Sequence, residues 1–491
     1  MSQFNSVEYL NDQVDKQYHN TVESIHKNTL NFQPFNQALA NFSEEKFWKM
    51  KSLVNNESIE KIQNAIKNNY FSYVDLVLYY LKKIRDEDDQ YNSVLFLNPK
   101  VLSEAKEKKY DDGNHLVYGM PILVKGNIGV KGLPLSAGAA VLKRNIALRD
   151  SELIGNLKEK GAIILGQTNL SEFANYMTSN SSNGYSAIGG QTKNPFGLFD
   201  VGGSSAGSAV AMAKGFAAGT IGTETAGSII YPSNQNGIIG LKPTLGSVSQ
   251  DLIVPISKTH DIAGPMTNNV KDQWILLDAI TNRKLKKPNF DSDDLTGVRI
   301  GIIKNKEVVD TYRASDQYIL EKVKNQLAEK GAILKEVELD NKLFSFDISD
   351  VLASEFKEEL NKFLLKDFRN KSINSLEKII ESNLKDLKNN TPYGQDLLEA
   401  SQNNNYEPGA IKKDIKNYQE ESSMIFVDVF RSYDLLLTIS NYMTTPYACS
   451  GNPAINFPVG KRETGEPVGA TLIAEKYKED KLIQTIHAYF C

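Results

Sequence analysis

The sequence predicts an α/β protein in which helices cover a central sheet. Two stretches carry that reading. "SELIGNLKEKGAIILG" runs from a helical pattern through Gly161 into an apolar strand, and "SDQYILEKVKNQLAEKGAILKEVEL" does the same through Gly331. Glycine at each junction fits the left-handed residue that closes a helix, because it has no β-carbon to clash there. "GVRIGII" (residues 297–303) precedes the second stretch and completes strand–helix–strand. Helices alternating with apolar strands bury both kinds of element best in a layered sheet. The shared "EKGAI" is too short for an internal repeat and is reuse of one cap.

Taken in order, residues 1–57 are polar and Asn-rich with a weak helical pattern, read as an appended N-terminal helical extension. The pattern strengthens at Ile59, Ile62 and Ile66, apolar at helical spacing. Ser72 with Asp75 three residues on is a capping-box start, followed by Val74, Val77, Leu81 and Ile84 on one face. "VLFL" (94–97), ended by Asn98-Pro99, reads as a buried strand, as do "LLLTI" (435–439) and "GATLIA" (469–474). Residues 345–430 break the rhythm with charged helical sequence, and strands resume afterwards. That segment is expected to be a helical insertion within one domain spanning 58–491.

Composition narrows the function. Hydrophobic residues make up 41% and charged residues 24% of the 491-residue chain, the balance of a soluble protein. A formal net charge of −4 gives no basic footprint for nucleic acid and no polybasic membrane anchor. No window approaches a membrane-spanning apolar run, and the first twenty residues lack the basic start and apolar core of a signal peptide. The only cysteines, Cys449 and Cys491, argue against a disulfide framework and fit a reducing compartment, so a cytoplasmic location is expected.

The stretch "GGSSAGSAVAMAKGFAAGTIGTETAGSIIYPS" (202–233) combines Gly, Ala, Ser and Thr with interleaved Val210, Met212, Phe216 and Ile221. A flexible linker would lack those apolar residues, so the segment packs where backbones approach closely. It contains no phosphate-binding G-x-x-x-x-G-K-[ST], and no G-x-G-x-x-G follows a strand. Residues 203–207 match G-x-S-x-G, with Ser205 as the nominal nucleophile of a hydrolase elbow. An elbow needs a strong preceding strand, which "PFGLFDVGG" is not. It also needs a downstream histidine, and only His260 and His487 follow, neither in a motif.

Taken whole, the stretch resembles the amidase signature family. "YGMPILVKGNI" is similar to that family's lysine segment, and "LGQTNLSEFA" and "GGQTKNPF" to its connecting motifs. "NGIIGLKPTLGSVS" resembles its sheet segment, and "GNPAINFPVG" its C-terminal motif. The resemblance covers about residues 58–491. It implies a large mixed central β-sheet covered by helices on both faces, and a metal-free, cofactor-free amidohydrolase working through a serine acyl-enzyme.

Carried over residue by residue, it makes Ser228 the nucleophile, Ser204 the bridging serine on a cis Gly203–Ser204 peptide, and Lys125 the base. A serine hydroxyl needs an adjacent base to attack an amide. Lysine serves only when neutral, and the apolar "PILV" before Lys125 supplies the desolvation that favours this. Thr225, Ala226 and Gly227 fall on the turn that would hold the oxyanion, braced by Thr223 and Glu224, while Ser205 and Ser208 read as structural hydrogen-bonders. Ser179 falls on a loop that is either substrate-facing or merely solvated. Many members carry Arg two residues after the nucleophile, Gly at position 226 and Asp at 224; here those positions are Ile230, Ala226 and Glu224. The missing Arg is similar to the bacterial peptide-amidase branch, with peptide-like or C-terminally amidated substrates. It weakens the alternative of a glutaminase-type subunit of a tRNA-dependent amidotransferase. An intact triad likewise opposes a catalytically silent scaffold. Neither nucleic acid nor membrane is an expected partner.

Ser228→Ala should abolish amide hydrolysis in a chain that still folds, whereas Ser205→Ala should retain activity. Assay of both purified variants decides between the two serines, and the reverse pattern would restore the elbow.

Overall fold

The computed structural model describes residues 7–366, 368–369, 371–404 and 408–491. Residues 1–6, the start of the expected extension, and 367, 370 and 405–407, in the expected insertion, lie outside the described residues.

The first strands in the chain are β1 (Val94–Leu97), β2 (Pro121–Lys125) and β3 (Ile163–Thr168). A small hairpin follows, β4 (Tyr185–Ser186) and β5 (Gly190–Gln191). Next come β6 (Gly219–Glu224), β7 (Ile239–Lys242), β8 (Ile262–Thr267), β9 (Arg299–Ile303) and β10 (Ile333–Val337). The last are β11 (Leu435–Ile439), β12 (Ala454–Lys461) and β13 (Pro467–Ala474). All but the hairpin form one 11-stranded sheet in the order β1-β3-β2-β6-β8-β7-β12-β13-β11-β9-β10. It is mixed: β3, β2 and β6 run parallel, as do β11, β9 and β10, while the remaining pairs are antiparallel.

Strands β2, β3, β6, β8, β11 and β13 are buried at every position. A strand with both faces buried reads as a continuous apolar run rather than an alternating one. This is the predicted sheet with helices on both faces. β10 departs from its apolar reading. It is the edge strand, with Ile333 about half exposed and Lys335 and Glu336 facing outward, so a charged rim protects the sheet end.

Local signals behave as their chemistry requires. Ser72 Oγ accepts from Asp75 N at 3.2 Å, and Ser72 N donates to Asp75 Oδ2 at 3.0 Å, closing the capping box of helix Tyr73–Glu87. Gly161 sits at φ +88°, and a β-carbon there would lie 2.1 Å from Tyr118 Cδ2. Before residue 58 lie helices Val7–Val14, Asn36–Ala40 and Glu44–Val54, with a π-helical turn at Asp15–His19. Phe35, Leu39, Phe47 and Met50 bury their side chains in the main core, and Phe47 stacks on Tyr79 with ring centroids 5.2 Å apart. Helices Ser349–Leu364, Leu376–Asn383 and Asp396–Gln402 build a second core, in which Phe356 and Leu360 pack with Phe173, Tyr176 and Met177.

The small residues after Ser205 have a packing reason. In helix Ala206–Ala213, a β-carbon on Gly207 would lie 2.4 Å from Asn169 O and 2.5 Å from Ser93 O. Three backbone segments meet there, and none can retreat without losing hydrogen bonds such as Asn169 N to Ser93 O at 2.8 Å. Gly207→Ala should therefore destabilise the fold by about 1–3 kcal/mol despite the better helix propensity of alanine, as overpacking does. Urea unfolding of the variant measures this, and a gain in stability would contradict it.

Candidate active site

Chain topology brings four segments together at the ends of two parallel strands. Lys125 closes β2, and Thr223 and Glu224 close its neighbour β6. Ser204 and Ser205 lie just ahead of helix Ala206–Ala213, and the Gly203–Ser204 peptide bond is cis. Ser228 lies in the loop between β6 and helix Ile230–Gln235.

Lys125 is fully buried. Its Nζ lies 2.7 Å from Ser204 Oγ, 2.9 Å from Thr223 Oγ1 and 3.2 Å from Thr223 O. Asn127 Nδ2 donates to Thr223 Oγ1 at 3.0 Å, which fixes that hydroxyl. Burial pulls the lysine down to about 7, because a charged ammonium loses its hydration there, while Asp261 and Glu224 act in the opposite sense. In the neutral amine, two N–H groups serve the oxygens of Thr223. The lone pair is then left for the hydroxyl proton of Ser204.

The segment from 225 to 230 is held from three sides. Glu224 Oε2 accepts from Ile229 N at 2.7 Å and Ile230 N at 3.0 Å, and Tyr447 OH donates to its Oε1 at 3.0 Å. Thr225 Oγ1 donates to Asp261 Oδ1 at 2.6 Å, and Asp261 Oδ2 accepts from Ile256 N and Ser257 N. Burial raises Asp261 to about 6. Gly227 adopts φ +85° with Thr444 Cγ2 3.1 Å from its would-be β-carbon. Among the described residues, the backbone N–H groups of Ala226, Gly227 and Ser228 make no hydrogen bond.

Ser205 N donates to Ser228 O at 3.2 Å, tying the two serine segments together. Ser228 is 8% exposed, and no hydrogen bond joins its Oγ to Ser204 Oγ. Ser205 Oγ is turned away, bonded to Thr223 O at 3.0 Å, and Ser208 Oγ donates to Ile221 O at 3.2 Å. Neither remaining histidine serves Ser205: His260 contacts Ser257 and Thr259, and His487 contacts Phe290 O. Ser179 is bound to the helical region instead, donating from N and Oγ to the carboxylate of Asp396. Asp261, Thr444 and Tyr447 carry no local sequence signal; only the folded chain brings them here.

A family model for amidases matches residues 75–483. The chain belongs to the amidase family. An amidase family protein from Bacillus anthracis is 32% identical, with a TM-score of 0.87 over 93% of this chain and 95% of that one. A peptide amidase from Stenotrophomonas maltophilia is 30% identical, with a TM-score of 0.81 over 88% of this chain and 96% of that one. A glutamyl-tRNA(Gln) amidotransferase subunit from Bdellovibrio bacteriovorus is 27% identical over 88% of this amidase and 96% of its own length. The protein is a hydrolase of C–N amide bonds. Among the described residues, no helix is long and apolar enough to cross a membrane, and no group of three or more His, Cys, Asp or Glu is arranged to hold a metal ion.

A lysine held near 7 in the fold and near 10.4 when unfolded is neutral in the native state and charged in the unfolded state between those values. Unfolding then takes up a proton, so this contribution to stability is full above the unfolded pKa and is lost as pH falls toward 7. The stability of the wild-type amidase minus that of Lys125→Met should rise by about 1.4 kcal/mol per pH unit from pH 7.5 to 10. Parallel urea titrations of the two proteins measure the difference, and a flat difference would mean the lysine is charged in the fold.

Proposed function

We propose that this amidase cleaves peptide-like primary amides to the acid and ammonia through an acyl-enzyme on Ser228, with Ser204 and Lys125 as its proton relay. The observation that carries the proposal is the buried amine of Lys125, depressed to about 7 and 2.7 Å from Ser204 Oγ. Neutral Lys125 takes the proton of Ser204 as Ser204 takes that of Ser228, and Ser228 Oγ attacks the amide carbon. The relay then runs backward, giving the proton to the leaving nitrogen so that ammonia departs. Water enters along the same path and releases the acid, again by proton transfer to Lys125 through Ser204.

The oxyanion is assigned to the turn at Thr225, Ala226, Gly227 and Ser228. Its support is the row of uncommitted N–H groups at Ala226, Gly227 and Ser228. Each such donor contributes about 3 kcal/mol of transition-state stabilisation in well-studied hydrolases. Glu224 and Asp261 act as braces that keep those N–H groups aimed inward. Ser179, bonded to Asp396, is assigned to fixing the neighbouring wall rather than to chemistry. We assign residues 1–57 as an addition to an amidase domain at 58–491 with a helical insertion at about 345–430; the family match, residues 75–483, lies inside that domain. The amidated-peptide preference rests on the likeness to the Stenotrophomonas enzyme and on Ile230 in place of the Arg that amidotransferase subunits usually carry. A cytoplasmic site of action fits the sparse cysteines, Cys449 buried and Cys491 terminal.

The test is ammonia release from a C-terminally amidated dipeptide by the purified chain alone, followed against pH. kcat/KM should rise through about pH 7 and level off above it, because charged Lys125 is the inactive form. Lys125→Ala should fall by several orders of magnitude and lose this limb. No turnover without an added protein would favour the amidotransferase-subunit reading, and an unchanged limb in Lys125→Ala would assign the base elsewhere.

A further inference from the structure

The N-terminal segment reaches into the supports of the Ser204 turn. Asp200, four residues before Ser204, is a buried carboxylate with a full set of donors. Its Oδ1 accepts from Gly202 N at 2.9 Å and from Gln17 Nε2 at 2.8 Å. Its Oδ2 accepts from Tyr231 OH at 2.5 Å and Asn183 Nδ2 at 3.0 Å. Gln17 is itself fully buried, and its Oε1 accepts from Val201 N at 3.0 Å. One side-chain amide therefore grips both the acid and the backbone beside it.

Gln13, on the preceding helix, accepts from Asn183 N at 2.7 Å. Asn183 Oδ1 in turn stands 2.8 Å from where a β-carbon on Gly203 would lie. Tyr18 OH donates to Phe199 O and accepts from Asn194 N, both at 2.9 Å. The bonds from Gln17 and Tyr18 to Phe199, Asp200 and Val201 converge on the backbone leading into Ser204.

We infer that Gln17 is a positioning residue for amide hydrolysis, holding Asp200 and Val201 so that the Gly202–Ser204 turn presents Ser204 to Lys125. The inference rests on the relay role proposed for Ser204. It makes the N-terminal segment, which precedes the residues matched by the family model, a working part of the active site. The chemistry selects glutamine. A carboxylate at position 17 would accept from Val201 N but face Asp200 with a like charge. A methionine would fill the volume and make neither bond.

The decisive variants are Gln17→Met and Gln17→Glu, assayed for ammonia release from an amidated dipeptide with the folded fraction fixed by circular dichroism and urea midpoint. Both should lower kcat per folded molecule at least tenfold with KM within threefold of wild type. The acidic limb from Lys125 should stay in place, since that lysine is untouched. A purely structural role would shift the urea midpoint and leave kcat of the folded enzyme unchanged. If Gln17→Met does not fold, Gln17→Glu decides alone, because it keeps the bond to Val201. If neither folds, Gln17 serves the fold rather than the turn, and the inference falls. An active wild type with either folded variant within twofold of its kcat overturns the inference and leaves the proposed function standing. A wild type that releases no ammonia overturns both.

Discussion

The arrangement depends on one buried amine. A lysine at the end of an interior strand is costly unless its nitrogen is neutral and its hydrogen-bonding capacity is met. Here the oxygens of Thr223 and Ser204 meet it, and each must be delivered by a different segment: Thr223 by the parallel neighbour β6, and Ser204 by the turn that enters helix Ala206–Ala213. That turn must lie close against the strand ends. Close approach explains the run of small residues, for at Gly203 and Gly207 the neighbouring atoms already occupy the space of a β-carbon. At these positions the small residues of 202–233 answer to the backbone and side chains packed against the Ser204 turn and the helix that follows it.

Around that centre, rigidity comes from carboxylates that accept backbone N–H groups rather than from ion pairs. Glu224 holds Ile229 and Ile230, Asp261 holds Ile256 and Ser257, and Asp200 holds Gly202. A buried carboxylate with two or three such donors fixes loop geometry in a way that hydrophobic contact does not, because hydrogen bonds are directional. The loops gain order while the apolar sheet beneath supplies stability. The N-terminal segment follows the same rule, with amides of Gln13 and Gln17 as the fasteners.

Much of the fold is legible where the signal is local. The capping box at Ser72, the caps at Gly161 and Gly331 and the apolar runs of β1, β9 and β11 depend on neighbours in sequence. Strands β6 and β8 escape a reading by pattern, because "GTIGTE" and "IAGPMT" owe their strand conformation to the sheet around them rather than to β-branched periodicity. The site divides in the same way. Lys125 and Ser204 stand out through the resemblance to the amidase signature family, and their contact is present in the fold. Asp261, Tyr447 and Gln17 act across 36, 223 and 183 residues of sequence, and no local pattern encodes such pairings. The loop around Ser179 leaves its face open in the sequence for the same reason: its partner Asp396 lies 217 residues away.

The sheet order also has a consequence for vectorial synthesis. Strands β1 to β8 are complete by Thr267, and the chain up to that point already includes Lys125, Ser204 and Ser228. Yet β7 pairs on its far side with β12, Ala454 opposite Lys242, so until residue 461 has emerged that strand is an open edge in the middle of the eventual sheet. Tyr447, the brace on Glu224, comes from the same late portion. A nascent chain thus carries Lys125, Ser204 and Ser228 long before it owns Tyr447 and β12, and exposed strand edges are where unfinished chains associate wrongly. Closure of the sheet therefore waits for β12 and β13, which supply the partner that β7 lacks until then.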